Sequence, residues 1–409
     1  MKVLNFGSCN VDYVYSLDHI VNKGETETTE KLEVFPGGKG LNQSIAAAKA
    51  GTKVYHAGCI GNGGEILTEI LRKNNVDTSF IKYTDEKNGH AIIQVSKEGE
   101  NSIFLYPGSN EMISKEHIDE VFESFSDGDI VLIQNEINNL GYIINKAYKK
   151  KMQIVLNPSP YNERIRDIDF DMITYLIVNE VEAKCISGYE EVDDILEYFK
   201  ANYSNLKLML TLGKAGCVYQ ENGESFYHPI YKVKAVDTTA AGDTFTGYFV
   251  SGLTSSMDKK EILRLASCAS AISVSRKGAA PSIPDMQEVL SQLEVLQPDD
   301  ADYKAKDKYS VICEYVDGHL NDASLKKLSE ILGYSTAYTG RLVKKITGMS
   351  FNTFLQEKRL EMSAKLLLKT ELPVNEIITK TGYENQSFFR KLFKEKYGVN
   401  PLAYRKTQK

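Results

Sequence analysis

Residues 129–135, DIVLIQN, are a short β-rich run of apolar side chains that ends abruptly in polar ones. Five more runs share that form: KVLNFGS (2–8), KVYHAGCIG (53–61), QIVLNPS (153–159), TYLIVNE (174–180) and KLMLTLG (207–213). Amphipathic stretches such as GLNQSIAAAKAG (40–51) and EEVDDILEYFKANY (190–203) lie between them. This alternation predicts an α/β fold over residues 1–296, a mainly parallel sheet with helices on both faces. Ligands of open α/β sheets sit beyond the carboxyl ends of the strands. The first candidates for function are therefore the polar residues after each run: Asn10 and Asp12, Gln134 to Glu136, Asn157, Asn179 to Glu182, and Thr211 to Gly213.

The stretch AVDTTAAGDTF (235–245) follows a predicted strand, YKVKAVD, and opens a predicted helix. Ala240, Ala241 and Gly242 then occupy a helix N-terminus, where unpaired N–H groups and the positive end of the dipole favour an anion. Asp243 beside such a site is unfavourable unless it takes a proton from a nucleophile that attacks the anion. An acidic residue in an ordinary capped first turn is the alternative. A second small-residue cluster, FPGGKGLNQSIAAAKAG (35–51), offers bare backbone at its glycine pair, positive charge at Lys39 and a donor and acceptor at Asn42. Such glycine pairs also serve simple turns. No GxxxxGK[ST] loop and no HRD or DFG set occurs, which disfavours P-loop and protein-kinase chemistry.

The 409 residues suffice for two or three domains, and the charge is divided between them. Residues 305–409 hold 19 Lys+Arg against 11 Asp+Glu, and residues 1–304 hold 30 against 44. A basic tail on an acidic body suggests a polyanionic partner, or else a solvated helical surface. The polar segment QPDDADYKAKDK (297–308) is the expected linker, with a second domain over 309–409. Cys9, Cys59, Cys185, Cys217, Cys268 and Cys313 show no metal-ligand spacing and are expected as reduced, mostly buried thiols. The opening MKVLNFGSCN lacks a signal-peptide pattern, and no apolar run reaches the ~18 residues of a membrane span, so a cytoplasmic protein is expected.

Over residues 1–296 the chain resembles the PfkB carbohydrate kinases, and the ribokinases among them. GSCNVD resembles the family's sugar-binding G-S-x-N-x-D, GGKGLNQ its G-G-K-G-x-N-Q, and LNPSP its N-P-A-P turn. NEVE resembles its N-x-x-E element, TLGKAG its T-L-G-x-x-G, and DTTAAGDTF its D-T-x-A-A-G-D-x-F, all in the family's order. The resemblance implies a ribokinase-like sheet with a β lid, built from GETETTEKLEVF (24–35) and AIIQVSKEGENSIFLY (91–106), that often pairs two subunits. It implies that Asn10, Asp12, Gly38, Lys39, Asn42 and Glu136 hold sugar hydroxyls, most readily those of ribose. ATP, with Mg2+, would be met by Asn179, Glu182, Thr211, Gly213, Gly216, Gly242 and Ser267. Asp243 would be the base for the attacking hydroxyl, with the N–H groups of Ala240, Ala241 and Gly242 around the transferring phosphoryl. VSRKGAAPSIP (274–284) resembles the loop that holds an activating K+, implying oxygens from Asp237, Thr239, Ser273, Arg276, Gly278 and Ser282. Leu41, Pro36, Thr239 and Ser267 depart from the family's usual residues and leave another sugar or a nucleoside open as substrate. A sensor that binds sugar without turnover is the other alternative.

Residues 322–409 repeat. Leu325, Leu328, Gly333 and Tyr334 recur 49 positions later as Val374, Ile377, Gly382 and Tyr383. Arg341, Leu342, Gly348 and Phe354 recur after 50 as Lys391, Leu392, Gly398 and Tyr404. Two copies of helix, glycine turn, helix follow, making an all-α unit. Arg341, Lys344 and Lys345 in one copy, and Arg390, Lys391 and Lys394 in the other, suit phosphates. Ser335, Thr336 and Tyr338, with Asn385, Gln386 and Ser387, stand at helix starts where they would reach base edges. A small bundle with a solvated basic face is the alternative. This region resembles the AraC-type DNA-binding domain with its two helix-turn-helix units, most diagnostically in GYENQSFFRKLFKEKYGVNPLAYR (382–405). That implies recognition helices over 335–345 and 385–396, double-stranded DNA as partner, and a sugar-responsive regulator.

Overall fold

Each of the six apolar runs becomes a strand in the computed structural model, which describes residues 1–98, 100–255, 257–298, 308–332, 336–370, 372–383 and 385–406. The strand expected over YKVKAVD (231–237) does not form: Tyr231 makes only an isolated bridge to Pro298, and the rest runs irregularly to the helix that starts at Ala241, because no neighbouring strand among the described residues pairs with it. The front part begins β1 (Val3–Phe6), β2 (Asn10–Leu17), β3 (Lys31–Gly37), α1 (Lys39–Lys49), β4 (Val54–Asn62), α2 (Glu65–Lys73) and β5 (Asp77–Lys87). It continues with β6 (His90–Ser96), β7 (Asn101–Tyr106), α3 (Lys115–Phe122), β8 (Ile130–Gln134), α4 (Leu140–Lys149), β9 (Gln153–Asn157) and β10 (Tyr175–Asn179). Then come α5 (Glu180–Ser187), α6 (Val192–Asn202), β11 (Lys207–Thr211), β12 (Cys217–Glu221) and β13 (Glu224–His228). The last front helices are α7 (Ala241–Thr254), α8 (Lys259–Val274) and α9 (Met286–Gln292).

The main sheet runs β13-β12-β11-β10-β9-β8-β1-β4-β5. Its neighbours from β11 through β5 pair in parallel, while β12 and β13 fold back antiparallel at one edge. Side chains alternate between two cores, as a strand's period of two requires. Val3, Ile130, Leu132 and Ile177 face a core shared with α1, α7 and α8. Leu4, Val131, Ile133 and Val178 face one shared with α3, α4 and α6.

A second sheet, β3-β2-β6-β7, forms the lid. Strand β2 pairs parallel to β6 and antiparallel to β3, so NVDYVYSL is its centre as well as the source of Asn10 and Asp12. The lid expected from residue 24 starts as a strand only at Lys31. Before that, Glu25 and Glu27 are drawn to His19 at 2.8 and 3.3 Å, and Glu25 also accepts from the Asn22 N–H, which turns the chain instead of extending it.

The chain divides near residue 302 into two compact units. Most of the expected linker, residues 299–307, lies outside the described residues. The rear unit comprises α10 (Lys308–Gly318), α11 (Leu325–Leu332), α12 (Thr336–Thr347), α13 (Phe351–Lys369), α14 (Val374–Lys380), α15 (Gln386–Tyr397) and α16 (Pro401–Lys406). It has two small cores. Leu328 and Val343 pack with Phe351, Phe354 and Leu355 of α13, and Ile377, Phe389 and Phe393 pack with Leu360, Ala364 and Leu367 of the same helix. One 19-residue helix thus seats both repeats. Gly382 and Gly398 close their turns at φ +80° and +76°, a region that disfavours any side chain. Gly348, the counterpart of Gly398, sits at φ +74°, whereas Gly333 and Tyr334, the counterparts of Gly382 and Tyr383, lie outside the described residues.

Candidate functional site

Helix α7 starts where the sequence is barest. The Ala241 N–H donates to the Thr238 carbonyl (3.2 Å) and that of Thr244 to Ala240 (2.8 Å), so Ala241 is already committed while Gly242 stays exposed with open space beside its Cα. Beneath it Asp243 is 4% exposed. Its Oδ2 accepts from Asn42 Nδ2 (3.0 Å) and its Oδ1 from Gln43 Nε2 (2.9 Å). Both amides come from the first turns of α1, and the two helices approach closely because Gly247 has no side chain. A Cβ there would overlap that of Ala46 and stand 2.8 Å from the Gln43 carbonyl.

Asp243 opens into a cavity that Lys39, Asn179, Glu182, Thr211, Thr239 and Gly242 also line. Asn179 and Glu182 cap α5 reciprocally: the Glu182 N–H donates to Asn179 Oδ1 (2.9 Å), and the Asn179 N–H to Glu182 Oε2 (3.1 Å). Gly213 and Gly216 shape the turn after β11 at φ +52° and +92°. Ser267 is buried in α8 with its hydroxyl 3.8 Å from Cys217 Sγ. These last three residues do not line the cavity that holds Asp243.

A second cavity is lined by Asn10 and Glu136 with Tyr106, Asn110, Asn135 and Arg164. Asn10 Oδ1 accepts from Asn110 Nδ2 (2.7 Å). Glu136 Oε2 accepts from the Lys39 N–H (3.0 Å) and from the Ser8 hydroxyl. Asp12 is buried on β2 against Gly37, where any Cβ would collide with its carboxylate. Gly38, at φ +95°, is the N-cap of α1 and turns the chain from lid strand into helix.

Negative charge is concentrated here. Burial, then Glu136 and Asp243, push the Asp12 carboxyl up to about 7. Burial also raises Glu136, against the pull of Lys39. Desolvation works against the Lys39 ammonium, but Asp243, Glu136 and Glu182 outweigh it and hold its pKa above the ordinary lysine range. One well-seated cation among carboxylates suits an incoming anion that must be neutralised in part.

The loop 274–282 lies against 236–239. The Asp237 N–H donates to the Val274 carbonyl (3.1 Å) and Asp237 Oδ2 accepts from the Gly278 N–H (3.0 Å). Desolvation opposes the Asp237 charge, yet hydrogen bonds from Thr239 and Gly278 win and lower its pKa. Ser273 and Ser282 share a hydroxyl bond of 2.8 Å. The Arg276 guanidinium is turned away onto Glu288, so only its main chain would be left for a cation.

Asn135 is among the polar candidates after DIVLIQ, but three residues of this region carry no expected role: Gln43, Asn110 and Arg164. Gln43 stood inside the quoted GGKGLNQ, and its place directly after Asn42 was the available signal. Asn110 and Arg164 sit in short 3-10 turns, at 108–111 and 163–167, with no such signal.

In the rear unit Gln386, Ser387, Arg390, Lys391 and Lys394 are exposed along α15, and Thr336, Arg341 and Lys344 along α12. Asn385 is the N-cap of α15, its Oδ1 accepting from the Phe388 N–H (3.0 Å), which leaves only its NH2 to reach outward. Lys391 lies 3.9 Å from Glu395. Ser335 and the side chains of Tyr338 and Lys345 lie outside the described part.

Residues 1–286 match the family model described as pfkB family carbohydrate kinase, and residues 328–407 one described as helix-turn-helix domain. The chain is 36% identical over 297 residues to the ribokinase of Haemophilus influenzae, covering 70% of this chain and 97% of that one. Ribokinase from Cryptococcus neoformans var. grubii serotype A, solved in complex with ADP, superposes with a TM-score of 0.64 at 32% identity, over 71% of this chain and 99% of that one. Arabidopsis thaliana ribokinase complexed with ribose and ATP gives 0.63 at 27% identity, over 72% and 98%.

Proposed function

This chain belongs to the pfkB family of carbohydrate kinases and carries a helix-turn-helix domain behind the kinase, and from that premise we propose that it phosphorylates ribose with ATP and binds duplex DNA as a sugar-responsive regulator. One observation carries the catalytic half. A buried carboxylate, Asp243, is held by two amides under the open start of α7, in one cavity with Lys39.

Asp243 takes the proton of the sugar's primary hydroxyl as it attacks, and Lys39 with the exposed backbone of Gly242 meets the charge on the transferred group. Asn10, Asp12, Asn42 and Glu136 orient the sugar, so that the hydroxyl meets Asp243 and not water. ATP with Mg2+ supplies the phosphoryl group. Glu182, a buried carboxylate in the same cavity, together with Asn179, fits the oxygen ligands that Mg2+ prefers, through water where its own oxygen is engaged. The Asp237 carboxylate and the carbonyls of the 274–282 loop fit K+ in the same way. Ribose is favoured because the ribokinases cited above share about a third of the residues over almost their full length.

Exposed Leu32 and Val34 on β3 share a face of the lid with Phe104 on β7, by the register Val34–Tyr13–Ile92–Phe104, and make an apolar surface that would pair two copies. The domain limits we adopt are 1–296 and 309–409, joined by 297–308. No helix among the described residues is long and apolar enough to cross a membrane, and ATP and DNA as ligands fit a cytoplasmic protein. The test is a screen of ADP release across pentoses, hexoses and nucleosides. Ribose should give the highest kcat/KM; a nucleoside or hexose that exceeds it would reassign the substrate.

A further inference from the structure

Gln43 and Gln134 hold no hydroxyl, phosphate or cation in the reading above, yet both are fully buried directly behind Asp243. Two backbone carbonyls anchor a chain of side-chain amides that runs through them. Asn5 Nδ2 donates to the Gly40 carbonyl and to Ser44 Oγ, both at 2.8 Å, which turns Asn5 Oδ1 toward Gln134. Gln134 Nε2 donates to that oxygen (3.1 Å) and to Gln43 Oε1 (2.7 Å). Gln43 must then present its NH2 to the site, where it donates to Asp243 Oδ1 (2.9 Å) and Asn157 Oδ1 (3.0 Å). Asn157 Nδ2 in turn donates to the Ile177 carbonyl (2.9 Å), fixing its oxygen toward Gln43 from the other side.

The two ends of a primary amide have nearly the same shape and opposite polarity. Unanchored, Gln43 would turn as readily with its carbonyl against the Asp243 carboxylate, a repulsive contact in a medium where polar interactions are strong. The anchors remove that choice. We propose that Gln134 and Gln43 form a positioning relay, anchored on Asn5 and Asn157, which keeps an NH2 donor on Asp243 Oδ1 and so holds the carboxylate aimed for proton transfer. The inference rests on the proposed role of Asp243. Gln43 and Gln134 are positioning residues: neither touches substrate.

The test compares Gln43→Met, Gln134→Met and Asp243→Asn in the full chain, with ATP and ribose. Removing the donor should lower kcat about 10- to 100-fold in Gln43→Met, and removing only its anchor about 3- to 10-fold in Gln134→Met, with KM for ribose within about threefold of wild type in both. Rates are taken per folded enzyme, from ribose binding and melting curves. If Gln43→Met does not fold, Gln134→Met decides. Wild-type kcat in the folded variants, or a KM for ribose that rises as far as kcat falls, overturns the relay while loss of turnover in Asp243→Asn leaves the base standing. Wild-type turnover in Asp243→Asn removes the base itself. Failure of both methionine variants to fold assigns the amides to the fold alone and likewise overturns the proposal.

Discussion

Asp12 gives the most specific prediction at the scale of single residues. Its carboxyl, raised from 3.8 to about 7, keeps a proton in the folded state that the unfolded chain has already released. The stability linked to it is fully present below the unfolded value and lost as pH rises through about 7, so the ligand-free protein should melt progressively lower across that window, and Asp12→Asn should flatten the trend. Sugar hydroxyls, by contrast, donate best to the ionised carboxylate, so KM for ribose should fall as pH rises through about 7 and lose that dependence in Asp12→Asn. A wild-type KM that is constant from about pH 5.5 to 8.5 would remove Asp12 from sugar binding. Asp12 was legible in the sequence as a polar residue soon after the first apolar run, and Asn42 and Asp243 because each follows bare glycines or alanines at the start of a helix. Asn110 and Gln134 were not legible as partners. Asn110 meets Asn10 from 100 residues away and Gln134 meets Gln43 from 91, and nothing local marks either pairing.

Helix α1 against helix α7 is the element contact on which the candidate site depends. Gly247 sits one turn after Asp243, and Ala46 and Ala47 one turn after Asn42 and Gln43, so the absent side chain sets how near the amides come to the carboxylate. Gly247→Ala should cost about 1–3 kcal/mol of stability by overpacking and should lower kcat more than it changes KM. A fully active Gly247→Ala enzyme would mean that this approach is not critical. Six of the nine strands of the main sheet were readable because both their faces are buried, which makes each one a continuous apolar run, whereas β5, β12 and β13 towards the sheet's edges carry polar residues. The lid was less so: β2 carries its polar site residues within the strand, and 24–30 looked extended until paired with His19 and Asn22. On α15, substituting Lys394 by alanine should weaken binding to every duplex and lower the salt slope by about one. Gln386→Ala should change sequence preference instead. Equal loss on all sequences from both variants would contradict the separation of phosphate from base contacts.

The whole molecule joins an acidic kinase unit to a basic helical one, and the sequence showed that division through charge, repeat spacing and a polar segment between the two. It did not show how the units communicate. A ligand shifts a two-state protein only by its difference in affinity for the two states, and the effect is reciprocal. If ribose alters duplex affinity several-fold, duplex must alter ribose affinity by the same factor; operator affinity unchanged at saturating ribose and nucleotide would leave two independent activities on one chain. The account stands first on the kinase reaction. Its most direct test is ADP release by the full chain with ATP and ribose, wild type against Asp243→Ala. Wild type should turn over at roughly 1–100 s⁻¹, and the variant at least about 100-fold more slowly with ribose binding retained. Turnover by Asp243→Ala near that of the wild type would contradict the account, as would a wild-type chain that consumes no ATP with any sugar.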